Sequence, residues 1–163
     1  MTNKEFFIKT LDAEIPVFIK VIEATPGDNL DFKPHEKART ARSLMMQLGS
    51  QPVAMSQIIT KGTIDTGAWK EPDQSVEEAA AAARKNFDQL KEDLAAIPDE
   101  EWENSEAKFA YPGGEWKAKK CEMVWGFLLD GIHHRGQLST YIRIMGGKVP
   151  SIYGGSADER PGA

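Results

Sequence analysis

Apolar residues recur at helical spacing through most of the chain. Phe7, Leu11, Ile15, Phe18 and Ile22 fall three and four apart, which is one buried face of a helix over 3–24. Thr2 and Glu5 have capping-box spacing, a pairing that satisfies the free N–H groups of a first turn. Pro16 lies inside the segment and predicts a kink, and Thr25-Pro26-Gly27-Asp28-Asn29 is a stop. A second helix is expected over about 37–61, with Leu44, Leu48, Met55 and Ile58 inward and a bend or break near Leu48 caused by Pro52. The third is the clearest. Ser75 and Glu78 form a capping box, Val76, Ala80, Ala83, Phe87, Leu90, Leu94 and Ile97 make the stripe, and Pro98 ends it. A fourth helix is expected over about 119–145, closed by Gly146-Gly147 and Pro150, with Arg135 and Arg143 in its C-terminal half. Residues 108–117 fit either a loop or a small hairpin turning at Pro112-Gly113-Gly114.

Four amphipathic helices predict an all-α domain, a four-helix bundle. The connections 25–36, 62–74 and 98–118 are long, so at least one overhand crossover is expected. The 163 residues suit one domain over 1–163, with 151–163 as a C-terminal tail, and a core that needs neither disulfide nor metal to fold. A net charge of −5 argues against nucleic acid as a main partner. Residues 71–106 hold twelve acids and three bases, a local −9 that leaves +4 elsewhere; such a run is most simply a solvated helix face. The lone Cys121 excludes an internal disulfide and suits a reducing compartment. No apolar run approaches the ~18 residues of a membrane helix. Lys9, Asp12 and Glu14 interrupt the N-terminal apolar residues as a signal peptide would not. The expectation is a cytoplasmic protein without a membrane partner.

Candidate chemistry gathers on the fourth helix. At ~100° per residue, Asp130, His134, Gln137 and Tyr141 form one stripe, which Met123 and Phe127 extend toward the N-terminus. His133 points roughly 60° away, Arg135 nearly opposite, and Cys121 about 180° from the Asp130/His134 line. A polar line of this kind is either a hydrogen-bonded network or a site. Asp130 and His134, at i and i+4, could share a metal. Asp130 could instead orient His134 as a general base, or the pair could be an ordinary helical contact of ~0.2–0.5 kcal/mol. His133 suits a supporting or helix–helix contact, His35 loop packing, Tyr153 an anchor for the tail, and Cys121 a structural place. Trp69, Trp102, Trp116 and Trp125 are too dispersed for a cage to be read from sequence.

His133-His134-Arg135-Gly136-Gln137, Tyr141-Ile142-Arg143, Gly146/Gly147, Val149-Pro150 and Tyr153-Gly154 resemble the C-terminal signature of the DinB/YfiT-like superfamily. The lead-in Asp31-Phe32-Lys33-Pro34-His35 and Ala41 to Leu44 are similar to that family as well. The resemblance implies an up-down-down-up four-helix bundle, often a homodimer, with a divalent ion on three histidines. Relatives include thiol-dependent S-transferases and isomerases. In this sequence the implied triad becomes Gln47, Asp130 and His134: an amide, a carboxylate and a single imidazole. That exchange moves preference from Zn²⁺ or Ni²⁺ toward Mg²⁺ or Mn²⁺ and predicts weak metal binding, or none, with the three side chains bonded to one another. Gln51, Gln137 and Tyr141 are the further pocket candidates.

Two functions follow as expectations. One is a DinB-like protein with a degenerate or weak divalent-metal site between the second and fourth helices, binding a small molecule or partner. The other is a metal- or His-assisted thiol S-transferase or hydrolase, with His134 and Asp130 catalytic.

Overall fold

The computed structural model describes residues 1–64 and 73–160. It is mostly helical, with one small antiparallel hairpin: α1 Asn3–Glu23, α2 Ala41–Lys61, α3 Val76–Ala96, α4 Asp99–Asn104, β1 Glu106–Tyr111, β2 Gly114–Lys119 and α5 Lys120–Ile144. Trp69 and the last three tail positions lie outside the described residues.

Both capping boxes form. The Glu5 and Glu78 backbone N–H groups donate to the Thr2 and Ser75 hydroxyls at 3.1 and 3.2 Å. α2 starts four residues later than expected. Residues up to Arg39 stay in the loop, where the Lys37 N–H donates to His35 Nδ1 at 3.1 Å, and Thr40 is the cap. Neither proline breaks its helix: α1 runs through Pro16 and α2 through Pro52, so the expected break near Leu48 is corrected to one continuous element. Packing of Leu44, Leu48, Met55 and Ile58, all fully or almost fully buried, outweighs the single hydrogen bond that Pro52 removes. Gly62, at φ +66°, ends α2 in the left-handed conformation that glycine adopts without strain.

One stripe position is also corrected. In α1 the buried residue between Leu11 and Phe18 is Glu14, while Ile15 is only half-buried. The 98–118 connection is filled rather than open. After Pro98 comes α4, whose fully buried Trp102 packs tilted against Phe7 and donates its indole N–H to Asn3 Oδ1 at 3.0 Å. The hairpin follows, in the register Ala107↔Ala118, Phe109↔Trp116 and Tyr111↔Gly114. Strand alternation puts those pairs on one face and Lys108↔Lys117 on the other.

Side-chain contacts fix the relative directions. Gln47 meets Asp130 and Ile59 meets Lys120, so α2 and α5 run antiparallel. Phe7 meets Trp125 and Glu14 meets Arg135, so α1 and α5 run parallel. Glu23 meets Arg84 and Asp12 meets Lys91, so α3 opposes α1. α3 rests on α1 and α2, where the Asn86 amide donates to the Gly49 carbonyl at 2.8 Å. Among the described residues, no helix is long and apolar enough to cross a membrane.

Candidate functional site

α5 carries polar clusters on two opposed faces. The first faces α2. Gln47 and Gln51, one turn apart, each donate an amide N–H to Asp130 Oδ2 at 2.9 Å. Asp130 Oδ1 stands 3.3 Å from His134 Nε2. His134 Nδ1 donates to Gln137 Oε1 at 2.8 Å, and the Gln137 amide N–H reaches His133 Nε2 at 3.0 Å. Gln137 therefore orients the His134 ring and leaves Nε2 as the nitrogen turned to the carboxylate. Gln51 is buried, because α5 offers Gly131 opposite it; a Cβ there would collide with Gln51 Oε1 and sit 3.1 Å from Phe18 Cζ.

Above this line the hairpin supplies the walls. A pocket of about 360 Å³ is lined by Gln47, Phe109, Trp116, Gly126, Phe127, Asp130 and His134. Trp116 stacks over Phe127 with ring centroids 6.2 Å apart and planes at 21°, and Phe109 meets Phe127 edge-on at 5.8 Å. The indole fits because residue 126 is glycine: a Cβ there would approach Trp116 Cη2 to 2.7 Å.

The structure thus brings Gln47, Gln51, Asp130, His134 and Gln137 together and leaves Tyr141 elsewhere. Tyr141 is buried against Phe32, ring centroids 5.7 Å apart, and is absent from the pocket lining. Pointing down the same stripe does not suffice once the helix has passed the cavity. Phe127, on that stripe, does line the pocket, while Met123 is core. Sequence reasoning missed Arg39, Phe109, Trp116 and Gly126. The period-two alternation of 106–119 carried the signal for the two rings, since it sends both to one face. Arg39 had no signal, because its loop position becomes meaningful only where α2 begins.

The donor set does not fit a tightly held divalent ion. Gln47 and Gln51 turn their N–H groups, not their oxygens, to Asp130. The Gln47 oxygen accepts from the Arg39 guanidinium, a cation where an ion needs electron-rich donors. Among the described residues no three His, Cys, Asp or Glu side chains gather as metal ligands.

The second cluster faces α1. Arg135, buried to 1% exposure, pairs with Glu14. It also donates to the Tyr153 hydroxyl at 2.7 Å, and that hydroxyl donates to the other Glu14 oxygen at 2.8 Å. The guanidinium lies over the rings of Phe18 and Tyr153, at 4.8 and 5.2 Å from their centroids. Tyr153 anchors the tail, as the sequence suggested, and Ser151 and Asp158 add contacts to Glu159, Arg143 and the Val149 N–H. Cys121 is buried on this face's side of α5, and burial pushes its thiol up, which suits a structural place.

A helical bundle with a hairpin-capped pocket over a carboxylate–imidazole pair is the class these features define. The DinB family model matches residues 2–161, and the chain belongs to the DinB family. In fold it is similar to a DinB-like protein from Bacillus subtilis, at 16% identity and a TM-score of 0.67, with 93% of this chain and 96% of that one covered. No curated protein matches the chain.

Proposed function

We propose that this DinB family chain binds a small organic molecule between α2, α5 and the hairpin, without a tightly held metal ion. One observation carries the reading: three aromatic rings converge on a carboxylate–imidazole pair inside a cavity of small-molecule size. Gln47, Asp130 and His134 serve as a hydrogen-bonded floor, and any divalent ion is held weakly. The helix pairings support the up-down-down-up order of such bundles.

The test is a fragment set read by ¹H–¹⁵N NMR on protein purified without chelator, beside elemental analysis. Shifts centred on Trp116, Gly126 and His134 are expected, with substoichiometric metal. Shifts elsewhere, or one tightly held ion per chain, would overturn the reading. Gln47→His with Asp130→His should create tight Zn²⁺ or Ni²⁺ binding, since three imidazoles then meet at one point; an unchanged affinity would mean that the three positions do not converge.

A catalytic version is favoured by one contact, Asp130 Oδ1 to His134 Nε2 at 3.3 Å: His134 would take a proton from a thiol or from water, in S-transfer or hydrolysis. Loss of turnover in His134→Gln with ligand affinity retained is the expected signature. A cytoplasmic homodimer belongs to the same proposal, supported by the exposed apolar side chains Phe6 and Leu129 on α1 and α5. A monomer in sedimentation at micromolar concentration would remove the dimer.

A further inference from the structure

Resting on the small-molecule reading above, we infer that the pocket selects an organic cation, a small alkylammonium or quaternary ammonium, through three rings and one carboxylate. The rings of Phe109, Trp116 and Phe127 are among its walls. Ring faces carry negative potential and attract a cation within about 6 Å. Trp116 is the strongest such platform, and its position is fixed from two sides, by the stack on Phe127 and by the Gly126 backbone.

The floor has the matching charge. Asp130 accepts two amide hydrogen bonds, which orient it and bring no formal charge. Its side chain lines the pocket and is still 47% exposed, and Oδ1 lies 3.3 Å from His134 Nε2. A strong charge-assisted contact would be about 2.7–2.9 Å, so Oδ1 keeps capacity for another donor or cation.

Other ligand charges fit worse. An anion would meet Asp130 head-on. The nearby cation, Arg39, is engaged by Gln47 and Ser43 and is not among the lining residues. A wholly apolar ligand would strip water from the carboxylate and return no partner.

Three probes of similar size separate these cases: choline, its neutral isostere 3,3-dimethylbutan-1-ol and the anionic 3,3-dimethylbutanoate. Binding is read by calorimetry and by the Trp116 indole resonance. Choline should saturate, the alcohol should bind at least tenfold more weakly, and the anion more weakly still. Asp130→Asn should lower choline affinity at least tenfold and leave the alcohol unchanged. Trp116→Ala should lower both, with partial recovery in Trp116→Phe. Should Asp130→Asn fold poorly, Asp130→Glu keeps the charge and should keep the ranking, and the ranking in the unmodified protein needs no variant.

Equal binding of alcohol and choline, tighter binding of the anion, or full choline affinity in Asp130→Asn would overturn the cation class. So would the absence of a saturable response to choline. The small-molecule reading is judged separately, by the fragment set and the elemental analysis.

Discussion

The two polar clusters of α5 use similar chemistry in opposite circumstances. Around Arg135, the carboxylate, guanidinium and phenol are mutually bonded, and the charged pair is buried at 1% and 9% side-chain exposure. Around Asp130, the carboxylate is bonded to two neutral amides and keeps an oxygen toward a cavity. The first cluster is complete in itself. The second has capacity left over, in a place that a ligand of modest size can enter. Residual hydrogen-bonding capacity, rather than the presence of charge, separates a scaffold contact from a candidate site.

The largest effect should come from breaking the closed cluster. Arg135→Ala leaves the buried Glu14 carboxyl with only the Tyr153 hydroxyl in place of its charged partner, and should cost about 3–5 kcal/mol in denaturant unfolding. Arg135→Met with Glu14→Gln should regain much of that loss. A small cost for the single variant would show that Glu14 escapes to water.

Next comes the glycine between the clusters. Gly131→Ala forces a methyl against Gln51 and Phe18. The overpacking, about 1–3 kcal/mol, exceeds the roughly 1 kcal/mol gained in helix propensity. A lower melting temperature and a shifted Gln51 side-chain amide resonance are expected; a stabilised protein would mean that Gln51 is free to move aside.

Asp130→Asn should be milder in stability, under about 1 kcal/mol, because the group is half exposed and its partners are neutral amides and one imidazole. A cost as large as that of Arg135→Ala would erase the distinction between the clusters.

The smallest effect concerns the tail, and its sign is set by two groups. Burial, then the hydrogen bond to Glu14, raises the Tyr153 hydroxyl above its ordinary value. Its contribution to docking is therefore complete below the ordinary tyrosine value of about 10 and is lost as pH rises through the raised one. Asp158 is lowered, first by its bond to Arg143 and next by the Val149 N–H, so its contribution is complete above the ordinary aspartate value and is lost as pH falls through the lowered one. Phenolate absorbance present in the wild type and missing in Tyr153→Phe should titrate late; titration at the ordinary value would deny the anchor.

Much of the helical frame was legible because it rests on periodicity and caps. Thr2–Glu5, Ser75–Glu78 and the Val76-to-Ile97 stripe all appear where residue spacing put them. The start of α2 and its passage through Pro52 were not legible, since tertiary packing decides both. α4 was hidden because one short turn around Trp102 leaves no period to detect. Asp130, His134 and Gln137 could be read from the spacing on α5 and Gln47 only through the family resemblance, whereas the walls needed the hairpin register. Glu14 was legible only as a charge interrupting apolar residues and Arg135 only as lying opposite the polar stripe; their pairing across the buried α1–α5 contact needed the structure.

The hairpin bears on how such a protein can diversify. Only alternate residues of β1 and β2 look into the cavity, and the turn at Gly113 has open space around it. Exchanging Phe109 or Trp116, or lengthening that turn, would re-specify the guest while the helical frame beneath went on folding as before. Two of the pocket's walls are thereby drawn from a stretch separate from the helical frame, while its polar floor stays on α2 and α5.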